Sequence, residues 1–183
     1  MTLDVRQKKE ADILTLKEIV EDYIANCREN AQKELRWFTI QNTLKAAVST
    51  AALAKTPSGK RFDHQRRIPK NVLNLAEEKL LKNLEQIQST KDFDELYILL
   101  KKLLSEIKGI GELYIYDTAL RIGAYLGHEP DKIYLHAGTL QGAKKLGLNT
   151  KLGYVFKKEL PNEFGRLLPR EIEDCLCIYK DEF

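Results

Sequence analysis

Gly109 and Gly111 stand one residue apart between two apolar helical segments, in the stretch Ile107-Lys108-Gly109-Ile110-Gly111. Glycines there accept backbone angles closed to other residues, and the second would open a helix whose first N–H groups have no partner within it. Those N–H groups and the positive end of the helix dipole can hold a phosphate without a large basic side chain. Lys108 stands beside the turn, and Ile110 is placed to plug it into an apolar core. Such a contact would fix position on a nucleic-acid backbone without reading its sequence. The plainer reading of Gly-x-Gly is a turn that ends one helix and begins the next.

A second candidate lies upstream, in Lys60-Arg61-Phe62-Asp63-His64-Gln65-Arg66-Arg67-Ile68-Pro69-Lys70. From Lys55 to Lys70 there are six basic residues and one acid, Asp63, although the whole chain carries a formal charge of only +3. Cations around one aromatic are the composition of a loop that tracks phosphates. The alternative is a solvated connector whose charges pair with the acidic C-terminal residues Glu171, Glu173, Asp174, Asp181 and Glu182.

Other reactive side chains are scattered. His64, His128 and His136 do not form a metal-binding spacing, and neither a metal nor a cofactor is expected. His136 stands in Tyr134-Leu135-His136-Ala137-Gly138-Thr139, read as a buried segment leading into a helix capped by Thr139. Cys27, Cys175 and Cys177 fit neither a disulfide framework nor a metal knuckle and are read as reduced thiols. Of Tyr114, Tyr116 and Tyr125, either Tyr114 or Tyr125 is expected to stay partly exposed, where a tyrosine can stack on an unpaired base.

The elements that must position these residues are helical. Apolar residues recur every three or four positions from Ile13 to Ile24 and from Leu35 to Ala51, which predicts an N-terminal helical hairpin over residues 1–54 with a break near Asn30. A basic connector, 55–70, follows the breaker Thr56-Pro57-Ser58-Gly59. Stripes through Val72, Leu73, Ala76, Leu80, Leu84 and Ile87, and through Phe93, Leu96, Leu100, Leu104 and Ile107, predict two packed helices flanking Lys91-Asp92. A third helix over 113–126 closes at Gly127, and a short one over 139–146 closes at Gly147. Residues 151–183, broken by Gly153, Pro161, Gly165 and Pro169, are expected to be irregular with an acidic end.

The stretch around Gly109 resembles the helix-hairpin-helix motif of DNA repair proteins, and residues 93–148 resemble more loosely part of the helix-hairpin-helix DNA glycosylase superfamily. Besides the glycine turn, the likeness rests on Thr118-Ala119-Leu120-Arg121-Ile122 and on Lys145-Leu146-Gly147-Leu148, similar to that family's Arg-Leu-Gly-Leu ending. It implies an all-α fold in which the N-terminal hairpin packs on a C-terminal helix-hairpin-helix unit. It also implies where chemistry would sit. The family's lyase lysine would fall at Leu113, or at Asp117 if the turn carries an insertion, and neither can form a Schiff base. The family's aspartate would fall at His136 or Leu135, with Asp131 near by. The four cysteines of the iron-sulfur branch are missing.

The expected function is therefore non-enzymatic, largely sequence-independent DNA binding, duplex favoured, through Lys108, Gly109, Ile110 and Gly111 with Lys60, Arg61, Arg66 and Arg67. One alternative is a divergent base-excision glycosylase with Asp117, Asp131 or His136 as its catalytic candidates. Another is a helical module with a protein partner. No apolar run approaches the roughly 20 residues a membrane span needs, and Met1-Thr2-Leu3-Asp4-Val5-Arg6 lacks the order of a signal peptide, so a cytoplasmic protein is expected.

Overall fold

The computed structural model describes residues 14–183; Ile13 and the Met1–Arg6 segment lie outside it. The fold is all-α in character: nine α-helices and three short 3-10 turns make 62% of it helical, and a single two-strand sheet completes it among the described residues.

Helix α1 (Leu16–Asn26) starts at Thr15, whose hydroxyl accepts from the Glu18 N–H while the Glu18 carboxylate accepts from the Thr15 N–H, a reciprocal cap. After Cys27 comes α2 (Arg28–Thr39), so the break falls just before Asn30. The rest of the N-terminal region differs from expectation, because a third helix, α3 (Leu44–Ala52), occupies the Ala-rich stretch. Thr43 starts it by accepting from the Ala46 N–H at 3.1 Å, in keeping with the preference of threonine for helix ends over interiors.

The stripe predicted as one helix to Gln88 is likewise two, α4 (Lys70–Leu81) and α5 (Leu84–Gln88). Asn83 divides them, its amide donating to the Lys79 carbonyl at 2.7 Å. Helix α6 (Phe93–Leu104) is capped by Asp92, and α7 (Glu112–Leu126) ends at Gly127 with φ +76°, as the glycine predicts. Strand β1 (Ile133–Tyr134) pairs antiparallel with β2 (Tyr154–Val155), and α8 (Ala137–Lys145) lies between them. His136, not Thr139, takes the N-cap position of α8. The C-terminal stretch is not irregular throughout: beyond two short 3-10 turns it forms α9 (Pro169–Ile178). Pro169 suits a first helical turn, and Glu171 reaches back to the Leu168 N–H at 3.0 Å.

The helices enclose two apolar cores. The first gathers Phe38 of α2, Val48 and Ala51 of α3, and the inward residues of α4 to α7, including Leu73, Leu80, Leu100, Ile115 and Ile122. The second joins Ile19, Val20 and Tyr23 of α1 to Ile133, Val155, Phe164, Ala143 of α8, and Ile172 and Leu176 of α9. The N-terminal segment is thus shared out, with α2 and α3 packed on α7 while α1 helps build the second core. Helices α8 and α9 approach closely because Gly142 leaves room for the Leu176 carbonyl, where a Cβ would collide. No helix among the described residues is long and apolar enough to cross a membrane.

Candidate nucleic-acid interface and the adjoining cleft

The glycine turn is built as its residues demand. Ile107 donates to the Leu104 carbonyl and Ile110 to the Ile107 carbonyl, each at 3.0 Å, which closes a β-turn with Gly109 in third place at φ +98°. That position of such a turn needs a positive φ, which glycine alone adopts without strain. Gly111 is the N-cap of α7 in extended backbone, and no side chain caps the helix. A Cβ on Gly111 would meet nothing within 4 Å, so this end of α7 is open. Lys108, Gly109 and Gly111 are exposed, while Ile110 is half-buried against the first core. Glu112 in the first turn pairs with Lys101 at 2.7 Å, which offsets its charge where an anion would otherwise be repelled.

The basic segment is anchored rather than loose. Lys55 and Arg61 bridge across the Thr56–Lys60 turn, and the Phe62 N–H donates to the Ala54 carbonyl at 2.9 Å. The Phe62 ring faces Phe38 on one side and carries the Arg121 guanidinium 3.9 Å from its centre. Gln65 is buried, donating to Asp117 at 2.5 Å and accepting from Arg121. Arg61 differs from the other cations: it is half-buried, with its guanidinium on the Ile68 carbonyl, so its role is to hold the loop's shape. Lys55, Lys60, Arg66, Arg67 and Lys70 are exposed. Among the described residues, none of these five nor Lys108 forms an ion pair.

The acidic C-terminal residues are not their partners. Glu171 pairs with Arg28, Glu173 lies beside Thr139 and His136, Asp174 accepts from Tyr23, and Asp181 lies near Lys145. The loop and the turn meet instead at α4. A Cβ on Gly109 would stand 3.6 Å from Val72, two residues beyond Lys70, and Asn71 and Val72 share a surface groove with Ile107 and Lys108. The starts of α4 and α7 are therefore neighbours, and no side chain caps either helix.

Beside this face, a cleft of about 130 Å³ opens between α2, α7 and α9. Leu35, Leu113 and Leu120 give it apolar walls; its polar lining is Glu34, His64, Asp117, Arg121, Arg170, Glu173 and Asp174. Arg121, almost wholly buried, is its hub, donating to Glu34 at 3.0 Å and to Gln65 and lying 4.0 Å from Asp117. The imidazole of His64 lies 3.6 Å from Asp117, and that hydrogen-bonded carboxylate raises the His64 pKa. At the cleft's inner end Thr139 donates to Glu173 Oε1 at 2.5 Å, and Tyr23 donates to Asp174 at 3.0 Å. Burial raises the pKa of both carboxyl groups because it disfavours their charged forms. Burial lowers that of His136, whose Nδ1 is 3.6 Å from Glu173 Oε1. His136 Nε2 and the neighbouring Tyr116 hydroxyl are buried without a hydrogen-bond partner.

The sequence candidates thus fall into three places. Lys108, Gly109 and Gly111 stand exposed before α7, and Lys60, Arg66 and Arg67 stand exposed in the loop that leads into α4; Asp117 lines the cleft, with His136 reaching toward it through Glu173; Asp131 stays exposed in the turn before β1. Tyr114 is not available for stacking, because it is buried and its hydroxyl donates to the Ala52 carbonyl at 2.6 Å; Tyr116 is buried too, and Tyr125 is partly exposed. Glu34, Gln65, Arg170, Glu173 and Asp174 went unnoticed as site residues in the sequence. The signal for the last pair was Ile172, Cys175, Leu176 and Tyr179 at helical spacing after Pro169, which makes 169–178 an amphipathic helix rather than an acidic tail. No known protein-family model, curated protein or solved structure significantly matches this chain.

Proposed function

We propose that this protein binds duplex DNA without catalysis and largely without regard to sequence, using the Lys108–Gly111 turn as a helix-hairpin-helix contact and the basic loop as a second phosphate grip. One observation carries the reading: Val72 against Gly109 sets the uncapped start of α7 beside the uncapped start of α4 and its exposed, unpaired cations. Two helix N-termini and a row of lysines and arginines favour a chain of phosphates. Contacts from backbone N–H groups and from cations to phosphate fix position on the duplex without carrying sequence information.

The test is a fluorescence anisotropy titration of a labelled duplex at low and moderate salt, with native protein and Gly111→Asp. Aspartate is a good N-cap and the site has room for its side chain. The variant should therefore fold normally, yet fill the α7 N-terminus with its own carboxylate. Salt-sensitive binding by the native protein and a loss of about tenfold or more in the variant are expected, since a charged group then repels the phosphate that the N–H groups held. Binding that ignores salt, or native-like affinity in the folded variant, would sink the proposal.

The position of Asp117 favours a second reading, a divergent base-excision glycosylase, because this carboxylate lines a cleft next to the proposed DNA-binding face. There it could stabilise positive charge developing on a sugar. Release of a damaged base from a duplex, read as alkali-sensitive abasic sites, that disappears in Asp117→Asn would establish this reading over the first.

A further inference from the structure

Within the cleft the donors are committed, whereas Glu173 and Asp174 each keep one oxygen that accepts no hydrogen bond among the described residues. The Arg121 guanidinium is held by Glu34, Gln65 and the Phe62 ring. Arg170 donates to Glu129 at 2.8 Å, and His64 faces Asp117. By contrast, Glu173 receives one hydrogen bond on Oε1 and none on Oε2, and Asp174 receives one from Tyr23 on Oδ2 and none on Oδ1. Glu173 is more than nine-tenths buried as a residue and lines the cleft, and its second oxygen accepts no hydrogen bond among the described residues, which leaves it open to a partner entering the cleft. Behind it, His136 Nε2 and the Tyr116 hydroxyl also lack partners, so this part of the interior does not satisfy itself.

Four carboxyl groups and two guanidinium groups line the cleft, and both guanidiniums have acid partners. An anion would therefore meet unpaired acids and no free cation. Ala31, Leu35, Leu113 and Leu120 favour an apolar body, and the volume limits that body to a small molecule. We propose that the cleft between α2, α7 and α9 binds a small organic cation, an ammonium or amidinium on an apolar body, through the carboxyl groups of Glu173, Asp174 and Asp117.

Binding then carries its own signature. Burial keeps the Glu173 carboxyl protonated to higher pH, and an entering cation favours the carboxylate. The proton leaves for solvent as the ion pair forms, so binding is coupled to proton release.

Benzamidine serves as probe, with neutral benzamide as its isostere, in calorimetric titrations of the full chain from mildly acidic to neutral pH, each in two buffers of different ionisation enthalpy. Benzamidine should bind and benzamide should not, with a buffer-dependent heat that reports a released proton. Glu173→Gln should weaken benzamidine about tenfold, the loss typical of one charge-assisted hydrogen bond, and reduce the buffer dependence. Leu113→Trp, which fills the cleft from a partly exposed wall and leaves the acids in place, should also abolish binding; it decides the question if the Glu173 variant fails to fold. Equal affinity for benzamidine and benzamide overturns the proposal, as does undiminished binding to folded Glu173→Gln or to Leu113→Trp. The duplex titrations do not bear on this result, because the proposal rests on the cleft alone.

Discussion

The outer face and the cleft are built from the same kinds of residue under opposite electrostatic rules. At the turn and the loop, every lysine and arginine but Arg61 stands in water with no acid partner among the described residues, and no side chain caps either helix start. In the cleft every cation has an acid against it, while Glu173 and Asp174 are acids held away from water. Exposed charges act at a distance and are screened by salt; buried ones act through desolvation and answer to pH. Gln65 joins the two regions, since the chain of the basic loop carries its side chain inward to Asp117 and Arg121.

The comparison breaks most visibly at Arg121. Arg121→Met would leave Glu34 and Gln65 without their donor and Phe62 without its cation. Removing one member of a buried, paired charge network costs about 3–5 kcal/mol, so urea unfolding should show a loss of this order. A loss below about 1 kcal/mol, the scale of an exposed pair, would mean that the cleft is no more satisfied internally than the surface. The outer face predicts the converse. Arg66→Glu, Arg67→Glu and Lys70→Glu together should leave the unfolding midpoint nearly unchanged, since none of the three side chains makes an ion pair among the described residues. They should weaken duplex binding about a hundredfold at low salt and flatten its salt dependence, by about one unit of slope for each phosphate no longer neutralised. Unchanged salt dependence would separate the loop from the nucleic-acid interface.

A smaller effect divides the two glycines of the turn. Gly109→Ala places a Cβ on a residue at φ +98°, which costs about 1–2 kcal/mol, and thermal unfolding should show it. Gly111 has φ −110°, which any residue adopts, so Gly111→Asp should leave stability within a few tenths of a kcal/mol. Equal destabilisation by both would mean that the turn does not depend on the geometry described.

How far each region could be read from sequence follows from the same contrast. The turn is local: Ile107, Gly109, Ile110 and Gly111 determine it among themselves, and it folds as their types require. The cleft joins residues remote in sequence, with Glu34, Gln65, Arg121 and Glu173 drawn from four elements, and no short motif encodes their meeting. Misread periodicity hid it further. Glu173 and Asp174 looked like a solvated acidic end because Pro169 and Gly165 suggested irregular chain, whereas Ile172, Cys175 and Leu176 draw that helix into the second core. Helix ends set by single side chains, at Thr43 and Asn83, were legible only as polar interruptions.

The smallest expected effect tests the sign of the cleft's electrostatics. In the folded protein the Glu173 pKa is raised, so folded molecules keep a proton there that unfolded ones lose above about pH 4.3. Stability contributed by that group is present below this pH and falls as pH rises toward the raised value. Asp174 acts in the same direction; His136, with a lowered pKa, acts oppositely, because unfolded molecules gain its proton below about pH 6.5 and stability falls as pH drops. Glu173→Gln keeps the shape and the Thr139 contact but removes one of these contributions. The variant should match the native protein near pH 4 and exceed it near pH 8 by on the order of 1 kcal/mol, a usual scale for a single substitution. The fall in stability on the acid side due to His136 should persist. Chemical denaturation across that range reads the difference directly, and a variant less stable than native at pH 8 would show that the ionised carboxylate is satisfied where it stands. The cleft would then resemble the outer face after all, as a place where charge is tolerated without a ligand.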